Sequence, residues 1–178
     1  MSKVIALTGS PGVGKSTIAK ILLKRGYKVK KVEELARKYN CIIDEKDNVK
    51  VIDTEKLKKR LKCRNLIIIE GHLSHLLNPD MVIVLRCNPL VLKRRLERRG
   101  WSVQKILENV EAELIDYILI EAINQVENVY EIDLTDLEPE KAADIIEEII
   151  HGKTKNYRPG KIDWISIMGN QIDKIIRK

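Results

Sequence analysis

The chain has 178 residues, a length that suits one α/β domain with small insertions. Hydrophobic residues make up 44% but include no Phe, so the core must be built from Ile, Leu and Val. No apolar run reaches membrane-spanning length and no charged-then-apolar leader is read, which excludes a membrane partner and leads us to expect a soluble, cytoplasmic protein. The formal net charge of +7 suits an anionic substrate and leaves room for a nucleic-acid or ribonucleoprotein partner. Cys41, Cys63 and Cys87 are odd in number, widely spaced and in no C-x-x-C pair, so they read as unpaired thiols of a reducing compartment.

Val4-Ile5-Ala6-Leu7 reads as a buried strand. Gly9-Ser10-Pro11-Gly12-Val13-Gly14-Lys15-Ser16-Thr17 follows and fits the phosphate-binding pattern G-x-x-x-x-G-K-[ST]. A helix is expected from Lys15 to Arg25, with Ile18, Ala19, Ile21 and Leu22 at helical spacing and Gly26 as its stop. Tyr27 to Val32 reads as a short strand and residues 33–39 as a helix. From Asn40 to Val51 the pattern is lost, and an irregular excursion is expected before a helix over Asp53–Lys62.

Leu66-Ile67-Ile68-Ile69 and Met81-Val82-Ile83-Val84-Leu85 lack alternation, as strands buried on both faces do. The first ends at Glu70-Gly71-His72 and the second at Arg86. Asn88-Pro89 opens a helix that carries Lys93, Arg94, Arg95, Arg98 and Arg99 and stops at Gly100. Ser102 caps one long helix expected over Val103–Val126; a fifth strand covers Val129–Leu134 and a last core helix Leu137–Ile150. Strands alternating with helices predict a three-layer α/β fold, with a five-stranded parallel sheet between helices, of the P-loop NTPase type. Residues 1–152 form this core, and 153–178 a basic C-terminal arm with two open readings: packing on the core, or docking to RNA or a partner.

In such a sheet, ligands lie beyond the C-terminal strand ends. The glycines let backbone N–H groups converge on an anion, and the following helix dipole adds to the attraction. Lys15 is expected on the outer phosphates of a nucleotide, Ser16 as a ligand of Mg²⁺, and the Thr17 N–H near the inner phosphate. Glu70 stands where an acidic residue usually holds the metal; the alternative is a carboxylate that braces the loop. His72 can orient a water or accept a proton, or simply pack at the strand end. His72 and His75 share an H-x-x-H spacing, but no third ligand supports zinc. Arg98, Arg99 and Gly100 lie at a helix break where a lid can close, with Arg99 as the arginine that closes over the phosphates; Arg94 and Arg95 read equally as a solvated face.

The chain resembles the adenylate kinase isoenzyme 6 family, also called CINAP, in its archaeal form, within the nucleoside monophosphate kinases. The resemblance rests on Thr8 to Thr17, Leu35-Ala36-Arg37, Glu70-Gly71-His72, Leu96-Glu97-Arg98-Arg99-Gly100-Trp101-Ser102 and Glu108-Asn109-Val110, and on the ending Pro159-Gly160-Lys161-Ile162-Asp163-Trp164. It implies that Gly12, Gly14, Lys15, Ser16, Thr17 and Arg99 bind ATP, that Arg37 holds the monophosphate, AMP being the expected one, and that His72 is linked to ATP hydrolysis. It also implies an NMP-binding excursion over about 28–51, a lid over about 98–108, broad NMP kinase and ATPase activities, and a part in small-subunit ribosome (rRNA) maturation through a small-subunit ribosomal protein; the net charge and the basic arm add ribosomal RNA as an expected partner. Two departures stand out: Glu33 replaces a Gly common in relatives, and Glu70 replaces Asp.

Overall fold

A computed structural model describes residues 3–46, 49–63 and 65–176. In chain order the first elements are β1 (Val4–Thr8), α1 (Lys15–Lys24), β2 (Val29–Lys31), α2 (Val32–Lys38), β3 (Ile42–Lys46), β4 (Val49–Ile52) and α3 (Thr54–Arg60). Then come β5 (Ile67–Glu70), a 3-10 turn (Ser74–Leu77), β6 (Met81–Arg86), α4 (Pro89–Glu97), α5 (Val103–Leu114) and α6 (Tyr117–Gln125). Finally come β7 (Val129–Asp133), α7 (Pro139–Ile150), α8 (Trp164–Met168) and α9 (Ile172–Ile176).

Five strands form one parallel sheet in the order β2-β5-β1-β6-β7. The non-alternating runs are buried on both faces because helices cover both. Ile5, Leu7, Ile68, Ile83 and Leu85 join the larger core with residues of α1, α4, α5 and α7. Their neighbours point the other way, as the two-residue strand period requires. Ala6, Val82 and Val84 meet α6, and Ile67 and Ile69 meet α2 and α3. The register sets Leu7 beside Glu70 and Thr8 beside Val84, so the C-terminal ends of β1, β5 and β6 share one edge.

Three local expectations differ from the structure. Within the 40–51 excursion, β3 and β4 pair antiparallel, with Glu45 opposite Lys50. Backbone pairing holds them without a strong apolar pattern. Asp47 and Asn48 lie outside the described residues. The single helix over 103–126 is two helices, broken where Asp116 takes φ 58° and pairs its carboxylate with Arg86. Asp tolerates this left-handed conformation better than most residues, and the break lets its carboxylate reach the buried Arg86. Strand β2 is also shorter than expected, since α2 begins at Val32.

The caps at Asn88 and Ser102 follow the sequence, and Asp53, expected inside its helix, caps it. Asp53 accepts from the Lys56 N–H (2.8 Å), Asn88 from the Leu90 N–H (2.9 Å), and Ser102 from the Lys105 N–H (3.4 Å). The tail lies on the core, with Trp164, Met168 and Ile175 buried in the same cluster as the central strands. Cys41, Cys63 and Cys87 are free thiols, the first and last buried. Among the described residues no helix is long and apolar enough to cross a membrane.

Candidate active site

Strand β1 delivers the glycine-rich loop and α1 receives it. Gly9 takes φ 136°, and a Cβ there would stand 2.3 Å from the Leu85 carbonyl oxygen, so only glycine lets the loop leave the sheet edge here. Gly14 precedes α1 at φ 123° with no side-chain cap, which leaves the orphan N–H groups of the first turn to an anion. Lys15 is only 8% exposed. Its Nζ donates to the Gly9 carbonyl (2.7 Å) and the Ser10 carbonyl (3.0 Å). Burial lowers its pKa to about 8 against the opposing pull of Glu70 and Glu113, and Arg99 lowers it further. The Ser16 hydroxyl donates to Glu70 Oε1 at 3.1 Å. A hydroxyl and a carboxylate in contact beside a phosphate loop are hard oxygen donors of the kind Mg²⁺ takes, so the residues fit that ion.

Two clefts border this loop. A cavity of about 240 Å³ is lined by Gly12, Gly14, Thr17, Arg95 and Arg99 on one side and Leu134, Leu137 and Pro139 on the other. A larger cleft of about 450 Å³ holds Lys15, Ser16, Glu70 and His72, faced by Lys31, Glu33 and Lys50 from the α2–β4 side and by Trp101 and Lys105 from the start of α5. The structure therefore gathers Lys15, Ser16, Glu70 and His72 in one cleft and Gly12, Gly14, Thr17 and Arg99 in the other. Arg37 joins neither: it is exposed on α2. Crowding by protein, then the Lys15 charge, push the His72 imidazole below its ordinary value, so the ring is neutral near pH 7. His75 turns inward instead. Its Nδ1 lies 3.2 Å from Thr8 Oγ1 and its Nε2 3.1 Å from Glu121 Oε2, so the two histidines of the H-x-x-H spacing do not meet one site. Arg95 is half-buried, and donates to the carbonyls of Val13 (3.1 Å) and Thr135 (3.5 Å). It braces the loop, whereas Arg94 is exposed.

A family model described as an AAA domain matches residues 5–116. A protein of Archaeoglobus fulgidus named "Putative adenylate kinase" is 52% identical over 178 residues, covering 98% of this chain and 99% of that one. A protein of the same name from Methanocaldococcus jannaschii is 46% identical over 167 residues, covering 90% and 92%. The chain belongs to this AAA-domain family. Among solved structures, a shikimate kinase from Acinetobacter baumannii in complex with shikimate superposes with a TM-score of 0.61 at 18% identity, over 86% of this chain and 95% of that one. A gluconokinase from Sinorhizobium meliloti gives 0.51 at 13%, over 85% and 97%. At these identities the likeness is one of fold, the P-loop α/β fold that the strand order describes.

This member of the AAA-domain family also has a buried ionic network behind its loop that sequence reasoning missed. Glu113 Oε2 accepts from the Ser10 hydroxyl at 2.6 Å, and Oε1 accepts from Arg86 Nε (2.8 Å), the Cys87 N–H (3.2 Å) and Trp164 Nε1 (3.1 Å). Arg86 also pairs with Glu131 (3.2 Å) and with Asp116. Glu131 Oε1 in turn accepts the N–H groups of Gly160 (2.9 Å), Lys161 (2.9 Å) and Ile162 (3.3 Å) in the tail. One signal was available: Arg86 ends a strand with no polar neighbour in the run, and a cation there needs acid from elsewhere.

Proposed function

We propose that this protein is a nucleoside monophosphate kinase of adenylate kinase type, moving the γ-phosphoryl group of ATP to AMP. The observation that carries this reading is one phosphate loop bordering two separate clefts. The smaller suits the donor nucleoside: Arg95 and Arg99 offer flat cationic faces and Leu134, Leu137 and Pro139 an apolar wall. The triphosphate would cross the loop N–H groups, with Lys15 leaving its carbonyl partners to meet the outer phosphates. Ser16 and Glu70 would hold Mg²⁺, which would supply charge neutralisation on the transferring phosphates. In the larger cleft Lys31 offers a cation to the acceptor monophosphate, while the Lys50 ammonium is paired with Glu33 (3.1 Å) and Glu45 (3.7 Å) and would have to leave them to do the same. The family resemblance adds Arg37, which would reach the monophosphate when the 28–51 excursion closes. An acceptor phosphate oxygen attacks the γ-phosphorus as the bond to the bridging oxygen of ADP breaks. Arg99, on a lid over 98–108, would stabilise the spreading charge and exclude water.

The names of the archaeal relatives support the kinase class, and the isoenzyme 6 resemblance supports a finer assignment within it. A coupled assay with ATP and AMP tests the reading. Lys15→Ala should lower kcat at least about 10²-fold; equal rates would refute it.

A second reading, ATP hydrolysis, is favoured by His72: a neutral imidazole on the wall of the cleft that holds Lys15 and Glu70 can accept a proton from water. His72→Ala should then reduce hydrolysis in the absence of AMP more than it reduces transfer. Action in the cytoplasm on the maturing small ribosomal subunit is supported by the resemblance and by the +7 charge. Retention of a small-subunit ribosomal protein or ribosomal RNA on the immobilised protein, weakening with salt, is its test.

A further inference from the structure

We propose that Glu113 is a positioning residue for the phosphate loop and that the C-terminal arm, through Trp164, sets the loop's grip on ATP. The inference rests on reading the loop as the ATP site. Glu113 is 3% exposed and accepts from four donors, three on Oε1 and one on Oε2. One donor comes from the loop and one from the arm. The 2.6 Å Ser10 bond is short and charge-assisted, and it anchors the residue whose carbonyl accepts from Lys15. The path from arm to loop is therefore two hydrogen bonds that share Glu113, one from the Trp164 N–H and one from the Ser10 O–H; the Lys15 bond to the Ser10 carbonyl belongs to the empty loop and is given up when the lysine turns to phosphate.

A second tie holds the same arm. Three successive N–H groups at Gly160, Lys161 and Ile162 converge on Glu131, and Arg86 bridges Glu131 to Glu113. If the arm lifts, two buried carboxylates lose four N–H donors together. A buried anion without donors is costly, so Arg86 and Ser10 must shift to compensate, and the loop shifts with Ser10. The docked arm and the loop conformation competent for phosphate are thus one linked state. By reciprocity, ATP bound to the loop must tighten the arm by the factor with which the arm tightens ATP.

The experiment uses the full chain. Trp164→Phe keeps an aromatic ring in the core and removes only the indole N–H and part of its volume. Mg-ATP affinity, measured by calorimetry, should fall about fivefold or more. Ser10→Ala should weaken binding similarly, and the double variant should be no weaker than the worse single one, because both cut the same path. For a readout that packing alone would not move, Trp101→Phe leaves Trp164 as the sole tryptophan. Its emission should change on saturation with Mg-ATP, although Trp164 lines neither cleft, and Ser10→Ala in that background should abolish the change at saturating ATP. The emission arm also decides the matter if Trp164→Phe fails to fold. Parent-like affinity in a folded Trp164→Phe protein, additive losses in the double variant, or a Trp164 emission indifferent to bound ATP would each overturn the proposal while leaving the ATP site intact. If the parent chain binds no ATP at all, the functional reading fails and this inference falls with it.

Discussion

The Lys15 ammonium is held in a pocket that disfavours its charge, and this makes nucleotide binding a proton-uptake reaction. Burial lowers its pKa from an ordinary 10.5 to about 8, a penalty on the charged form of roughly 3 kcal/mol. In the empty protein the side chain is then about half neutral at pH 8 and about nine-tenths neutral at pH 9. A triphosphate on the loop restores a strong reason to be charged. ATP binding should therefore take up about 0.5 proton at pH 8 and about 0.9 at pH 9. The phosphates of ATP are already ionised there, and His72, lowered from an ordinary 6.5, stays neutral throughout. Calorimetry in buffers of different ionisation enthalpy counts these protons directly. Lys15→Arg, whose guanidinium stays charged, is the control that should show none. Normal ATP binding with no proton uptake at pH 9 would refute the reasoning. The same shift has a stability consequence of defined sign. Between about pH 8 and 10.5 the unfolded chain binds more protons at this site than the folded one, so the empty protein gains stability as pH rises through that window. Lys15→Met should abolish that gain.

Two further outcomes follow from the scaffold. Gly9→Ala places a Cβ 2.3 Å from a main-chain oxygen at a positive φ, so the strand end or the loop must move. A loss of about 2–4 kcal/mol in urea unfolding is expected together with weakened ATP binding, and an unchanged midpoint would contradict the geometry. Arg86→Met leaves Glu113, Glu131 and Asp116 without their shared cation. The cost should be about 3–5 kcal/mol, a large part of a domain's stability, and thermal unfolding would show it as a drop of many degrees.

The elements that carried strong apolar runs were legible. The unbroken Ile and Val stretches of β5 and β6 and the motif before α1 specify a parallel sheet with the phosphate loop at its C-terminal edge. Caps at Asn88 and Ser102 were readable because a short polar side chain before an apolar periodic run has one common use, whereas Asp53 reads as the first residue of its helix and caps it instead. The β3–β4 pairing was not, because it is carried by backbone groups and by Glu45 and Lys50 across a two-stranded ribbon. The break at Asp116 was hidden for a different reason. Apolar positions run in helical spacing from Ile106 to Ile123, and only a partner 30 residues earlier, Arg86, makes the kink favourable. Within the site, the loop motif announced Lys15 and Ser16, and strand-end logic announced Glu70. Arg95, Glu113 and Glu131 looked like ordinary charged helix and strand residues, since what distinguishes them is burial against residues far away in the chain.

That buried acid bears on why Lys15 can work near neutral pH. Desolvation alone would strip its proton further; Glu70 and Glu113 are the two groups that push its pKa back up. Glu70 has a separate task beside Ser16, so its removal would confound metal and lysine effects. Glu113 lines neither cleft, and Glu113→Gln keeps its shape while deleting its charge. The Lys15 pKa should then fall below about 8, and the pH at which ATP binding first takes up protons should move down in step. At pH 7 the variant would take up more protons than the parent, for which about 0.1 is expected. Were the onset to stay where it is in the parent, the electrostatic support would have to come from Glu70 alone, and Glu113 would act on the loop only through its hydrogen bond to Ser10.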